Sequence, residues 1–205
     1  MDDLIRDIEA IPLSAEDGVE MSEKLGNPNV FAMLFDDLRD VNSLDELFEG
    51  KAKGTRGNGT EPINTVYILL NITNDQGGSA EVGHWFSLIR NEQGISHFDS
   101  YGINIGKEIS ISHEEDLINR LIRGVKVESN RFRYQNFREE ISTCMRHTVV
   151  RSIFHFYTNA QYHDFVITPM VRAKEFKDID TMVSCMTGML IKSDQILLKF
   201  FKSKI

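Results

Sequence analysis

The chain has 205 residues, 41% apolar and 26% charged, which is enough for one sizeable hydrophobic core and ordinary for a soluble globular domain. No apolar run approaches the roughly 20 residues that span a bilayer, the acidic start Met1-Asp2-Asp3-Leu4-Ile5-Arg6 is unlike a secretory signal, and two cysteines make no disulfide framework and indicate a reducing compartment. The net charge of −8 is uneven, with 14 acidic and 3 basic side chains in residues 1–50 against 15 basic and 8 acidic from Arg120 onward. A solvated acidic face over a mildly basic body is the plain reading; a nucleic-acid surface on the basic half has no aromatic–basic motif behind it.

In chain order, residues 3–10 fit a short amphipathic helix, and residues 11–28 read as polar and turn-rich. Residues 30–35 fit a short helix or a strand. Ser43 with Glu46 three residues on is a capping box that opens a helix at Leu44. Residues 50–62 hold four glycines and read as a loop inside the domain rather than a boundary. Residues 63–72, dense in Ile, Val, Tyr and Leu, predict a buried strand. Residues 74–78 follow as a turn or longer loop. Residues 82–89 and 94–98 then form strands of a hairpin through Arg90-Asn91-Glu92-Gln93. Residues 112–123 read as a helix capped by Ser112 and Glu115 and stopped by Gly124. Residues 125–127 and 132–134 are short strand candidates.

The last third reads as helical. Met145, Val149, Ile153 and Phe156 recur at helical spacing after Cys144 and predict the inward face of a core helix. Further helices are expected near residues 160–173, 178–191 and 194–202. Cys185, among Met182, Val183, Met186 and Met189, is expected in the core. Strands in the middle and helices at both ends indicate an α+β fold, with a central mixed or antiparallel sheet flanked by helices. A single domain is expected over 1–205: an acidic segment to residue 60, a core over 63–158 and C-terminal helices over 160–205.

Cys144 carries the most chemistry. It lies in Ser142-Thr143-Cys144-Met145-Arg146-His147, where polar residues run into the helical pattern, so Ser142 or Thr143 as N-cap puts the thiol in the first turn. The thiolate is the reactive form, and a helix N-terminus and a nearby imidazolium both favour it. Of the six histidines, His147 would project from the flank of the same helix. His113, His155 and His163 have no supporting pattern, and His97 reads as a buried, hydrogen-bonded strand residue. His84 starts an apolar strand after Gly83, and Asp99 ends the neighbouring one. Paired strands would set Asp99 to hold one imidazole nitrogen while the other faces the thiolate, which is nucleophile, base and orienting acid. The bland alternatives are a strand-end histidine, a turn acid and a small buried thiol. Two distant cysteines make no zinc signature, and Gly54, Gly57 and Gly59 lack the Lys-Ser/Thr of a phosphate loop. No metal or cofactor is implied.

Gly83-His84-Trp85 on a strand, Phe98-Asp99-Ser100-Tyr101-Gly102 ending the next, Gln135, and Thr143-Cys144 opening a helix together resemble the adenovirus-proteinase and Ulp1-like cysteine peptidases. The Cys-x-Arg-His-x-Val-Val-x-Arg run is most similar to capsid-maturation proteases of virophages, Polinton-type elements and large DNA viruses. The resemblance spans about residues 63–158. It implies a papain-like/Ulp1-like fold, with Cys144 as nucleophile, His84 as base, Asp99 as orienting acid and Gln135 with the Cys144 backbone N–H as oxyanion hole. Trp85 and Gly83 would line a narrow substrate channel that admits small residues before the scissile bond. The implied substrates are capsid or other virion precursor polypeptides, met by a monomer in the virion and host-cell cytoplasm with no membrane contact. The basic C-terminal half leaves DNA stimulation open. The family usually has Gly after the nucleophile, where this chain has Met145, and the spacing from Gln135 to Cys144 is longer than in adenovirus proteinase. A ubiquitin- or SUMO-type isopeptidase, an acyltransferase with a related His–acid–Cys site and a non-enzymatic interaction domain are the alternative readings.

Overall fold

The structure is a computed structural model that describes residues 2–72, 82–112, 115–138 and 141–191. Its elements in the first half are α1 (Asp2–Ala10), α2 (Ala15–Lys24), β1 (Val30–Leu34), a 3-10 turn (Phe35–Asp40), α3 (Leu44–Phe48), β2 (Thr55–Arg56) and β3 (Thr65–Ile72). Then come β4 (Val82–Asn91), β5 (Gly94–Asp99), α4 (Ile105–Ser112), α5 (Glu115–Ile122) and β6 (Val127–Ser129). The remainder is α6 (Cys144–Ile153), α7 (Asn159–Tyr162), a π turn (His163–Ile167), α8 (Thr168–Ala173) and α9 (Ile179–Thr187). The expected turn at 74–78, His113 and the helix at 194–202 lie outside the described residues.

The fold is α+β, with helices on both faces of an open sheet of order β2-β1-β3-β4-β5-β6. The sheet is mixed: β1 and β3 are parallel, β3, β4 and β5 run antiparallel in turn, and β6 joins β5 in parallel. Period-2 alternation divides the side chains between two faces. Val66, Ile68, Leu70, Phe86, Leu88 and Ile95 pack with Leu44, Leu47, Phe48, Ile109 and Ile118 from α3, α4 and α5. Tyr67 and Trp85 turn the other way, toward α2 and α6. No helix among the described residues is long and apolar enough to cross a membrane.

The acidic N-terminal segment belongs to this sheet. Residues 30–34 resolve as a strand, inserted between β2 and β3. Residues 11–28 are not simply turns, because α2 forms there. Ser14 accepts from the Asp17 N–H at 3.2 Å and Asp17 accepts from the Ser14 N–H at 3.0 Å, a capping box that a polar helix with a central glycine concealed. Gly18 lets α2 approach α6 closely: a Cβ there would lie 2.4 Å from Met145 Sδ. The Tyr67 hydroxyl joins the layers, bonded at 2.6 Å both to Ser22 of α2 and to Ser152 of α6.

Several expectations are corrected. The loop over 50–62 contains β2, which pairs with β1 at the sheet edge. Residues 105–112 form a helix the sequence reading omitted, and Ser112 lies at its end, with its hydroxyl donating to the Ile109 carbonyl at 2.6 Å. Residues 132–134 are not a strand; the strand candidate at 125–127 begins later, as β6. Helix α6 is buried from Cys144 to Ser152, not along one stripe, and it stops at Ile153, which leaves Phe156 exposed. Cys185 is exposed, not core. On α9 the buried positions are 180, 182, 183, 184 and 187, and at 100° per residue position 185 falls outside that arc.

Met145 side-chain truncation should expose this packing. Met145→Ala is expected to cost about 2–5 kcal/mol for a fully buried site, and Gly18→Ala about 1–3 kcal/mol by overpacking. In a urea-denaturation cycle the double variant should cost less than the sum, because each change relieves the other. Strict additivity would show that the two residues do not share this contact.

Candidate active site

The register of the hairpin explains why a histidine stands at residue 84. Asp99, the last residue of β5, pairs with Phe86 of β4, so His84 lies two residues past the end of the neighbouring strand. Sheet alternation puts His84 and Asp99 on one face, and Asp99 Oδ2 bonds His84 Nε2. Both side chains are shielded, Asp99 fully. Asp99 is itself fixed, because its Oδ1 accepts from the Ile103 N–H at 2.9 Å and its backbone is held on both sides by the Asn130 side chain. The turn that follows needs Gly102, whose φ of 73° is left-handed.

Cys144 approaches from the opposite layer. It opens α6, which packs against β4, and it shares an apolar cluster with Trp85 and Met145. Cys144 lies within electrostatic reach of the His84 imidazole, close enough to raise its pKa. Burial, the largest single influence, pulls the His84 pKa down. The bond to Asp99, the approach of Cys144 and the charges of both outweigh it and hold the imidazole well above its ordinary value. Burial likewise pushes Asp99 up, but the His84 contact and the Ile103 N–H leave its carboxyl below the usual range.

Gln135 is buried beside the same strand end. Its backbone N–H donates to the Ser100 carbonyl at 2.9 Å, and its Oε1 accepts from the Ser100 hydroxyl at 2.6 Å. That bond orients the amide, leaving its NH2 as the end able to donate to a ligand. Thr143 occupies the N-cap position as expected but does not cap. Its side chain makes no bond to the helix N–H groups and instead donates to Asp180 Oδ1 at 2.6 Å.

Trp85 and Gly83 take inner positions. The Trp85 indole is 4% exposed and its N–H donates to the Leu13 carbonyl at 3.1 Å, so it backs Cys144 from within the core. A Cβ on Gly83 would lie 2.4 Å from Leu69 Cδ1, so this glycine makes room for a neighbouring strand side chain. Met145 turns toward Gly18 and the apolar cluster. His147 is buried and bonds Asp180 Oδ1 through Nε2 at 3.0 Å.

Four side chains around the site had no role in the sequence reading. Tyr101 sets its ring 5.1 Å from that of His84 and stacks on Phe137 at 4.4 Å. Burial, then the charges of Cys144, Asp180 and Asp99, push the Tyr101 hydroxyl up to about 12. Phe137 is 66% exposed, so an aromatic ledge reaches solvent next to the imidazole. Glu108 brings a second carboxylate beneath His84: Oε2 bonds His97 Nε2 at 2.7 Å, and Oε1 lies 3.6 Å from His84 Nε2 without a hydrogen-bond partner. Burial raises the Glu108 carboxyl. Asp180 is the fourth. Tyr101 stands in a motif the sequence did expose; Glu108, Phe137 and Asp180 carry no local signal.

His84, Asp99 and Glu108 place three ligand atoms within 4.8 Å of one another, the one such trio among the described residues. Hydrogen bonding already engages His84 and Asp99 with each other and Glu108 with His97. The arrangement therefore offers a thiol at a helix N-terminus, a carboxylate-backed imidazole within its electrostatic reach and an amide oriented by Ser100, the residue after Asp99.

The pKa directions give a signed pH dependence. His84, raised in the fold, contributes stability that is complete below the ordinary imidazole range and lost as pH rises through its raised value. Asp99, lowered, contributes stability present above the ordinary carboxylate range and lost as pH falls through its lowered value. The destabilisation caused by Asp99→Asn, read from urea midpoints, should therefore peak between those ranges, at about pH 5–6.5, and shrink on both sides. A loss that keeps growing toward alkaline pH would exclude a charged pair. No protein family model matches this chain, and no curated protein matches it in sequence.

Proposed function

We propose that this chain is a cysteine endopeptidase with the papain-like/Ulp1-like arrangement, acting on virion precursor polypeptides at small-residue sites. The observation that carries the chemistry is His84 bonded to the buried Asp99 and within electrostatic reach of Cys144 at the start of α6. Cys144 Sγ attacks the scissile carbonyl carbon as the thiolate. The oxyanion takes hydrogen bonds from the Cys144 N–H and the Gln135 amide. The His84 imidazolium then gives its proton to the leaving amine. Water, deprotonated by the same imidazole, hydrolyses the thioester and restores the thiol. Asp99 holds the ring and balances the imidazolium without taking its proton.

The extended substrate is proposed to pass along the Tyr101–Phe137 ledge, with Arg133 over Phe137 at 5.0 Å. The preference for glycine and the virion substrate rest on the sequence resemblance. The same resemblance supplies the monomeric state and the assembly-site location.

Alkylation tests the thiolate directly. At mildly acidic pH iodoacetamide should modify Cys144 rapidly and Cys185 slowly, because burial and the Glu9 charge push the exposed Cys185 thiol up. Peptide mapping reads the site, and preferential labelling of Cys185 would overturn the assignment. Cleavage of a glycine-containing extended peptide should vanish in Cys144→Ala and persist in Cys185→Ser. Asp99→Asn should lose less than His84→Ala, since orientation contributes less than proton transfer. The opposite order would exchange or remove those roles.

A further inference from the structure

One carboxylate outside the triad ties together both halves of the proposed oxyanion hole. Asp180, in the first turn of α9, is fully buried. Its Oδ1 accepts from the Thr143 hydroxyl at 2.6 Å and lies 3.0 Å from His147 Nε2. Its Oδ2 accepts from the Asn136 backbone N–H at 2.9 Å and from the Asn136 side-chain amide at 2.8 Å. Thr143 immediately precedes the nucleophile, and Asn136 immediately follows Gln135. The peptide segments that carry the two oxyanion donors are therefore fastened to the two oxygens of one side chain.

The Thr143 bond has a second consequence. A threonine at an N-cap ordinarily turns its hydroxyl back onto the first-turn N–H groups. Here Asp180 draws that hydroxyl away, and Thr143 has φ −94° and ψ 0°, outside the extended conformation usual at a cap. The N-terminal N–H groups of α6 thus have no Thr143 side chain across them. Burial, the largest influence, pushes the Asp180 carboxyl up, but the His147, Thr143 and Asn136 contacts hold it below the ordinary carboxylate range.

We infer that Asp180 is a positioning residue of the oxyanion hole: it sets Gln135 against the N-terminus of α6 and keeps Thr143 from capping it. The inference rests on the peptidase reading, and it separates two steps of that chemistry. Alkylation by iodoacetamide requires the thiolate but develops no oxyanion. Acylation by the p-nitrophenyl ester of N-acetylglycine requires both. Asp99 and His84 share no hydrogen bond with Asp180 among the described residues, so the first step should depend on it far less than the second.

The test compares both rates at Cys144 in the Cys185→Ser background. Asp180→Asn should leave alkylation within about threefold of the parent and lower acylation by about a hundredfold, the size of losing one oxyanion donor. Thr143→Val, which removes one bond of the clamp, should show a smaller split in the same direction, and Thr143→Ser should restore acylation. Thr143→Val and Thr143→Ser decide the matter if Asp180→Asn does not fold. Parallel loss of both rates, or no loss in either, overturns the inference alone. A parent protein that is not acylated at Cys144 overturns the peptidase reading and the inference with it.

Discussion

Helix α6 has no solvent face over its first nine residues, and the rest of the site depends on that burial. A helix enclosed on all sides cannot shift along its axis without breaking contacts in several layers, so the position of its first residue is fixed by the core. The enclosure also forces polar groups inward. Arg151 satisfies its guanidinium with the Phe154 and Tyr157 carbonyls, each at 2.7 Å, and with Asn159 at 3.3 Å. Burial lowers its pKa to about 10, against the opposing effect of Tyr162, Tyr134 and Glu128. Arg146 reaches Thr187 at 3.0 Å and the Ile8 carbonyl at 3.3 Å. The two arginines therefore tie α6 to the chain beyond its own C-terminus, to α9 and to α1.

The acidic N-terminal segment is part of this enclosure. It supplies β1 inside the sheet, α2 against Met145 and the Leu13 carbonyl for the Trp85 indole. The Glu9 carbonyl accepts from the Ser142 N–H at 2.7 Å, two residues before Cys144. Excess negative charge along residues 1–50 thus coexists with an interior role, because the apolar positions Val19, Met21, Val30 and Phe31 face inward while most of the carboxylates face solvent.

What was legible in the sequence follows from the range of each signal. His84, Asp99 and Cys144 sit where strands end and a helix begins, so local patterning placed them at element boundaries before any contact was known. The central strands were legible for the same reason, being short apolar runs between turn residues. Helix α2 was concealed because only Gly18, Val19, Met21 and Ser22 are buried, and two of those four are not apolar. Cys185 was misplaced because its apolar neighbours were counted without fixing which arc of α9 faces in. Asp180 and Glu108 were invisible in principle: their partners lie 33 and 37 residues away for Asp180 and 11 for His97, and an isolated acid on a helix reads as solvated.

The two buried acids beside His84 differ in how their charge is compensated. Asp99 has a hydrogen-bond donor on each oxygen, His84 on one and Ile103 on the other, so its charge is compensated in place. Glu108 has a donor on Oε2 alone, and its second oxygen is buried without one. An unpaired carboxylate oxygen in the interior penalises the ionised form, which is the direction in which its pKa moves. Placed at 3.6 Å from His84, a fully ionised Glu108 would compete with Asp99 for the imidazole. A raised Glu108 limits that competition and leaves His97 as its partner. The ring of His84 is then held by one strong acceptor, and its direction toward Cys144 is set by Asp99 rather than shared between two acids.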